Sequence, residues 1–240
     1  EGVLALCRKL ICACAAAILL LCAMMTPIWR DMEHTAAFMP SNIHPVVVID
    51  PGHGGEDGGA VGAAGAREAK LNLAIAQRLS DLLGFCGVDT VMTRTDDVSI
   101  HSGDAASIRQ KKASDIKNRV AIVEQCEHPR LISVHLNHFS QASCHGAQVF
   151  YSIHHDSGKQ FADLVQQALR EGLDPENHRV AKPGEPHIYL LEHVTCPAIL
   201  VECGFLSNPL EERKLGEENY QRRIALCIAS GYLIAEKTVC

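Results

Sequence analysis

The chain has 240 residues, of which 47% are hydrophobic and 21% charged, and its formal net charge is −6. This composition is typical of a globular protein and excludes a disordered, collagen-like or coiled-coil chain. The mild acidity argues against nucleic acid as a partner, because nucleic-acid-binding proteins present a basic surface. The length suits one domain of ordinary size with a short additional segment.

The N-terminal segment, residues 1–29, has the pattern of a membrane anchor. Residues 10–29 form an uncharged, mainly apolar run that follows Arg8 and Lys9 and ends at Trp29. A helix of that length spans the hydrocarbon core of a bilayer, which is about 30 Å thick. The positive-inside rule then places residues 30–240 outside the cytoplasm. A cleaved signal peptide is the alternative, although its apolar region is usually only about 7–15 residues long.

After a polar linker over 30–44, the hydrophobic pattern predicts strands that alternate with helices. Strands are expected at 46–50, 88–93, 131–135, 147–151, 188–191 and 198–202. Helices are expected at 68–83, 114–126, 157–171, from 208 onwards and at 217–236. This alternation predicts an α/β domain over 45–240, with a mostly parallel sheet and helices on both faces.

Two local features refine this picture. Asn208, Pro209 and Glu211 form a helix start, with Asn as the cap, Pro at the first position and an acid in the first turn. The chain contains 11 Cys, but no C-x-x-C pair occurs. We therefore expect most of them to be free thiols, with Cys203 and Cys227 as small core side chains.

Ionisable side chains stand at the carboxyl ends of three predicted strands. His53 follows the first strand, His135 ends the strand LISVH, and Glu202 ends the strand AILVE. Glu68 opens the helix that follows a Gly-rich loop, residues 51–66. Because the carboxyl ends of parallel strands line one edge of a sheet, we expect these four groups to converge there.

Two histidines and one carboxylate with an open fourth position form the ligand set of a catalytic zinc ion. His53, Glu68 and His135 fit the ligand roles. Such a centre also needs a base that takes a proton from water, and Glu202 fits that role. A carboxylate that ends a run of Ile, Leu and Val is costly to bury unless it has a function or a partner.

The residues alone leave other interpretations open. The chain has 13 His, so each histidine could be structural. Two His and one carboxylate also describe non-haem iron oxygenases, which do not need Glu202. Cys203 could be a nucleophile, but no base is evident for it. The loop sequence GHGGEDGG matches neither a Walker loop nor a dinucleotide-binding fingerprint.

Four sequence blocks resemble those of zinc-dependent N-acetylmuramoyl-L-alanine amidases of the type 3 family. The blocks are VVIDPGHGGEDGGAVG, REAKLN, SVHLN and ILVECGFLSNPLE, in the family order over 45–236. The resemblance implies that His53, Glu68 and His135 hold zinc and that Glu202 is catalytic. It implies hydrolysis of the amide between N-acetylmuramic acid and L-alanine of the peptidoglycan stem peptide. The implied fold is a twisted mixed sheet of about six strands flanked by helices.

A finer resemblance is to the spore-cortex amidases of this family, through MTRTDD, SIRQKKASDIKNR and IYLLEHVTCPAILVECGFLSNP. It implies a role in the formation of muramic-δ-lactam, and it allows for an activating lipoprotein partner. The alternatives are a vegetative autolysin amidase, another zinc peptidoglycan hydrolase such as a carboxypeptidase, and a non-catalytic wall-binding protein.

The roles of several other polar residues stay open. Asn137 either orients a metal ligand, contacts substrate or stabilises a turn. Arg94 and Arg119 either meet carboxylates of the stem peptide or form structural ion pairs. Lys111 and Lys112 are expected on a solvated face.

Overall fold

The structure is a computed structural model that describes residues 45–239. The predicted anchor (1–29) and linker (30–44) lie outside the described residues. Within 45–239, no helix has both the length and the apolar character needed to cross a membrane.

Strands and helices alternate along the described part of the chain, as predicted. The strands are β1 (Val47–Pro51), β2 (Thr90–Met92), β3 (Arg130–Asn137), β4 (Gln148–Tyr151), β5 (Lys182–Pro183) and β6 (Ala198–Phe205). The helices are α1 (Glu68–Phe85), α2 (Ile108–Glu124), α3 (Gly158–Leu173), α4 (Tyr189–His193), α5 (Pro209–Leu215) and α6 (Glu218–Val239).

The strands form one six-stranded mixed sheet in the order β2-β1-β3-β6-β4-β5. Strands β2, β1, β3 and β6 run parallel to their neighbours. Strand β4 is antiparallel to β6, and the short β5 is parallel to β4. The prediction of a mostly parallel, mixed sheet is therefore confirmed. In the β3–β6 pair, His135 lies directly beside Glu202.

Helices cover both faces of the sheet, as predicted. Ile49 of β1 packs into the cluster formed by α1, α3 and α6, whereas its neighbour Val48 packs into the cluster that includes residues of α2 and α4. The same alternation separates Ile132 from Leu131 on β3. Successive side chains of a strand point to opposite faces, so a strand covered on both sides needs an unbroken apolar run.

The prediction of a strand at 188–191 is wrong. Tyr189–His193 form helix α4, and Leu190 and Leu191 are buried in the cluster beneath it. A short apolar run does not distinguish a buried strand from a buried helical turn by its pattern alone. The strand in this part of the sheet is Lys182–Pro183, which is only two residues long and exposed.

Helix α2 begins six residues earlier than expected, at Ile108 rather than 114. Its start is a capping box: the Gln110 amide N–H donates to Ser107 Oγ at 3.2 Å, and the Ser107 amide N–H donates to Gln110 Oε1 at 3.0 Å. The first two turns are polar and exposed, so the hydrophobic pattern does not reveal them. This extension brings Lys111 and Lys112 towards the Gly-rich loop.

Two other local predictions are confirmed. Asn208 Oδ1 accepts hydrogen bonds from the amides of Leu210 and Glu211, at 2.9 and 3.3 Å, and Pro209 opens helix α5. Cysteines at six described positions are free thiols: Cys86, Cys126, Cys144, Cys196, Cys203 and Cys227. Among them, Cys203 and Cys227 are core side chains.

A buried ion pair fixes the end of β1, where the predicted site begins. Asp50 accepts from Arg119 Nη1 and Thr93 Oγ1, both at 2.6 Å, and from Ser133 Oγ at 2.7 Å. Arg119 also binds Asp115 at 2.6 Å. Burial alone would raise the pKa of Asp50, but the Arg119 charge and the two hydroxyl donors lower it from 3.8 to about 2.

The lowered pKa of Asp50 predicts that part of the stability of the fold is lost in acid. The folded-state pKa of Asp50 lies below its unfolded value, so the carboxylate stabilises the fold above pH 4 and this contribution is lost as the pH falls towards 2. Denaturant unfolding at a series of pH values measures it. The Asp50→Asn variant is expected to be less stable at neutral pH and to lose less stability on acidification than the wild type.

A milder change provides the control. Ser133→Ala removes one hydrogen bond to Asp50, so it is expected to cost about 1 kcal/mol and to retain most of the acid sensitivity. Equal pH dependence in the wild type and Asp50→Asn would show that Asp50 is not a main source of it.

Candidate metal centre and active site

The loop after β1 presents His53 from an unusual backbone conformation. His53 has a φ of 62°, in the left-handed region that few residues other than Gly adopt. Two backbone hydrogen bonds between Gly54 and Asp57 close the loop, at 2.8 and 3.1 Å. Arg119 Nη2 donates to the carbonyl of His53 at 2.7 Å. These contacts hold a conformation that a free chain rarely populates.

Gly52 allows the two predicted histidine ligands to approach each other. A Cβ atom at this position would collide with the imidazole of His135. The Gly52 amide donates to the carbonyl of Val134 at 3.0 Å, which holds the loop against β3. The imidazole centroids of His53 and His135 are 5.0 Å apart. A glycine at position 52 therefore allows the imidazole of His135 to pack against the backbone of the loop.

Glu68 is the first residue of α1 and is 4% exposed. Its Oε2 accepts from the Ala60 amide at 2.8 Å, and its Oε1 accepts from the Leu136 amide at 3.2 Å and from Asn72 Nδ2 at 3.3 Å. Burial alone would raise the pKa of Glu68. Hydrogen bonds and positive charge from His135 and His53 outweigh burial and hold the pKa of Glu68 well below its usual range.

The structure brings the three predicted metal ligands together. Glu68 Oε1 lies 3.2 Å from His53 Nε2 and 3.0 Å from His135 Nδ1. Each of the three residues offers one ligand atom, and these three atoms all lie within 4.8 Å of one another. Two imidazole nitrogens and one carboxylate oxygen are the donors that a catalytic zinc site uses. The residues present therefore fit a zinc ion.

The electrostatics of this cluster favour a cation. Burial alone would lower the pKa of His53. Hydrogen bonds and charge from Asp57 and Glu68 raise it instead, to about 9. The two carboxylates thus stabilise positive charge on or beside the imidazole. A metal ion satisfies the same preference, and its binding displaces protons from its ligands.

Glu202 lies beside the cluster, and its carboxylate has a different environment. One of its oxygens, Oε2, is buried and has no hydrogen-bond partner among the described residues. Burial, with a smaller effect from the charge of Glu68, raises the pKa of Glu202 to about 7. An unpaired buried carboxylate oxygen costs free energy, and such atoms are often functional. A carboxyl group with a pKa near neutrality can both accept and donate a proton.

A cavity of about 530 Å³ opens onto His53, His135 and Glu202. The cavity is also lined by residues of the segment before α2, of α2 itself and of the segment leading into α4. Asn137 also lines the cavity, and its backbone carbonyl accepts from the Leu206 amide at 2.8 Å. The position of Asn137 is compatible with substrate contact.

The two predicted arginines have structural contacts. Arg94 is 3% exposed, and its guanidinium donates to the carbonyls of Pro51, Gly52, Ala69 and Asp96 at 2.9 to 3.0 Å. These bonds support a positioning role for Arg94. Arg119 forms the buried ion pair described above, as one of the two alternatives predicted.

The expected solvated face is confirmed for Lys112, whose side chain is 57% exposed, whereas the Lys111 side chain is partly buried, at 27%. Both residues line the cavity. Lys111 Nζ lies 2.7 Å from Glu56, and Lys112 Nζ lies 2.9 Å from Asp57. The early start of α2 places these side chains against the Gly-rich loop.

Sequence reasoning missed three polar residues that hold the site. Asn72 donates to the Gly52 carbonyl at 3.2 Å as well as to Glu68. Glu212 accepts from the amides of Ala64 and Ala66 at 3.0 and 3.2 Å. Asp57 binds His53 Nδ1 at 3.0 Å. Asn72 lies one helical turn after Glu68, and that spacing is a sequence signal that could have identified it.

Comparisons with known proteins agree with this site. Residues 47–233 match the sequence profile of N-acetylmuramoyl-L-alanine amidases. The chain is 36% identical over 188 residues to the germination-specific N-acetylmuramoyl-L-alanine amidase of Bacillus subtilis, with 78% of each chain covered.

Solved structures show the same likeness. The CwlD amidase of Clostridioides difficile, in complex with the GerS lipoprotein, superposes with a TM-score of 0.78 at 35% identity, over 81% of this chain and 99% of that one. The amidase AmiC2 of Nostoc punctiforme gives a TM-score of 0.69 at 30% identity, over 81% and 98%. The chain belongs to the N-acetylmuramoyl-L-alanine amidase family, and it is an enzyme of that class acting on peptidoglycan.

Proposed function

We propose that the chain is a zinc-dependent amidase in which His53, Glu68 and His135 hold the metal and Glu202 is the general base. The observation that carries this assignment is the contrast between two carboxylates. Glu68 accepts hydrogen bonds from two backbone amides and contacts both histidines. Glu202 faces the same cavity with a buried oxygen that has no partner in the described part of the chain.

The bond cleaved is the amide between N-acetylmuramic acid and L-alanine of the stem peptide. When bound, zinc supplies Lewis-acid chemistry, because it polarises a carbonyl and lowers the pKa of water. Glu202 takes a proton from the attacking water and delivers it to the leaving nitrogen of L-alanine. Burial raises the pKa of the Glu202 carboxyl group, and a raised pKa favours a carboxylate that accepts a proton and then returns it.

The protein's own contacts prepare the site for this chemistry. The side chains of Arg94, Arg119 and Asn72 donate hydrogen bonds to backbone carbonyls of the loop that carries His53, and so hold that loop in place. Register pairing of β3 with β6 places Glu202 next to His135. Catalysis depends on placing a base close to the reacting atoms, and this pairing keeps the proposed base beside a proposed metal ligand.

The proposed biological substrate is spore-cortex peptidoglycan, where this cleavage precedes formation of muramic-δ-lactam. The similarity to a germination-specific amidase and to CwlD supports this role. The GerS lipoprotein in the CwlD complex supports the proposal of a lipoprotein partner here.

The proposed location is the outer side of a membrane. The apolar run over 10–29 would anchor the chain, residues 30–44 would serve as a linker, and 45–240 would form the catalytic domain. Membrane fractionation of the full chain tests the anchor: recovery in the soluble fraction, with intact N-terminal sequence, would contradict it.

Substitution of Glu202 separates the proposed base from the proposed metal ligands. Glu202→Gln is expected to lower turnover of peptidoglycan by at least about 100-fold while zinc content stays near that of the wild type, because Glu202 is not a ligand. His135→Ala, the matched control, is expected to lose zinc as well as activity. Zinc is measured by elemental analysis, and products by mass spectrometry, where free stem peptides should carry a new N-terminal L-alanine.

Three outcomes would contradict this assignment. Loss of zinc from Glu202→Gln would make Glu202 a ligand. A full equivalent of zinc in His135→Ala would mean that another residue replaces it. Release of only D-alanine by the wild type would indicate a carboxypeptidase.

The proposed role in the spore cortex is tested by complementation. Expression of the chain in a Bacillus subtilis strain that lacks its germination-specific amidase is expected to restore muramic-δ-lactam to the spore cortex. Muropeptide analysis measures the lactam, and Glu202→Gln is the control that should fail to restore it. Activity on vegetative wall without restoration of the lactam would favour the autolysin alternative.

A further inference from the structure

The imidazole of His53 is held between two carboxylates. Its Nε2 lies 3.2 Å from Glu68 Oε1, on the side of the proposed metal. Its Nδ1 lies 3.0 Å from Asp57 Oδ2, on the opposite side of the ring. Coordination of the proposed metal through Nε2, which faces Glu68, would leave Nδ1 without a role in the proposed function. A neutral imidazole that coordinates a metal through one nitrogen carries its proton on the other.

We propose that Asp57 is the positioning residue of the metal centre and that it acts through His53. It accepts the Nδ1 proton, which fixes the tautomer whose Nε2 lone pair is free for the metal and fixes the orientation of the ring. A carboxylate behind a ligating histidine also makes the imidazole a stronger donor. This inference rests on the proposed zinc function of His53.

Asp57 is itself held in place from two directions. Its backbone pairs with Gly54, which lies next to His53 in the chain, at 2.8 and 3.1 Å. Its second carboxylate oxygen, Oδ1, lies 2.9 Å from Lys112 Nζ on α2. A continuous series of contacts therefore runs from Lys112 through Asp57 to His53. Lys112 occupies Oδ1 and leaves Oδ2 directed at the histidine.

The contribution of Asp57 to folding should be small. Its side chain is 28% exposed and that of Lys112 is 57% exposed, and ion pairs this open to solvent add little to stability. The backbone bonds between Gly54 and residue 57 do not depend on the side chain. Truncation of Asp57 is thus expected to leave the loop folded and to alter the metal site.

The chain contains a matched control for this position. Glu56 precedes Asp57 in the loop, and it pairs with Lys111 at 2.7 Å as Asp57 pairs with Lys112. The contacts of Glu56 are directed at α2, whereas Asp57 also contacts His53. Loss of either carboxylate removes one charge and one ion pair from the same loop. Only the loss of Asp57 removes the partner of the histidine.

The test is the zinc affinity of the full chain, purified in detergent and measured by competition with a chelator of known affinity. Asp57→Ala is expected to weaken zinc binding about 10- to 100-fold. Asp57→Asn should recover part of that loss, because the amide oxygen still accepts the Nδ1 proton. Glu56→Ala is expected to stay within about twofold of the wild type. Circular dichroism and thermal unfolding of the metal-free proteins show whether each variant is folded.

A second readout reports the tautomer directly. In the zinc-loaded wild type, nitrogen NMR of His53 is expected to show a protonated Nδ1 and a coordinated Nε2. In Asp57→Ala the Nδ1 proton is expected to exchange faster with water. A merely structural contribution of Asp57 would shift unfolding without changing these signals.

The outcomes separate this inference from the proposed function. A zinc affinity of Asp57→Ala within twofold of the wild type would overturn the positioning role and leave the amidase proposal intact. An equal loss of zinc affinity in Glu56→Ala would also overturn the positioning role, because the loss would then result from the reduced negative charge of the loop. If Asp57→Ala fails to fold, the same comparison is made with Asp57→Asn against Glu56→Gln. A wild type that binds zinc but cleaves no amide contradicts only the proposed function, and one that binds no zinc contradicts both.

Discussion

The structure depends on one buried carboxylate that is shared by segments distant in sequence. Glu68 accepts hydrogen bonds from the loop at Ala60 and from β3 at Leu136, and it contacts both histidines. A buried carboxylate is costly unless donors or cations surround it. The Gly-rich loop, the start of α1 and the end of β3 meet that requirement together. The same arrangement that satisfies Glu68 therefore assembles the three donors of a metal site.

Around this carboxylate, two buried arginines keep the loop in a conformation that it would not adopt alone. Arg94 and Arg119 donate to backbone carbonyls from Pro51 to His53, and Arg119 is neutralised by Asp50. Backbone strain at a functional residue persists where the surrounding contacts over-determine it, as they do at His53. The loop that carries the proposed metal ligand His53 is thus held by many contacts. Glu202 differs, because one of its buried oxygens has no such partner within residues 45–239, and this makes it the group proposed for proton transfer.

The sequence predicted much of the fold and the outline of the site. Strands β1 and β6 were predictable because uninterrupted Val, Ile and Leu occur where a strand is buried on both faces. His53, His135 and Glu202 could be brought together because the ends of parallel strands share an edge. The pattern predicts a strand where Tyr189–His193 form a helix, because five residues are too few to show a period. The roles of Asp57, Asn72 and Glu212 depend on side-chain directions across distant segments, which no local pattern reveals.

The most direct test of this account is a crystal structure of the zinc-loaded protein with anomalous diffraction measured at the zinc absorption edge. The account predicts one zinc ion bonded to His53, Glu68 and His135, at about 2.0 to 2.2 Å from each donor. Glu202 should face the ion across the open coordination position without bonding to it. A zinc ion held by Glu202, or by histidines outside this trio, would contradict the assignment of the metal centre.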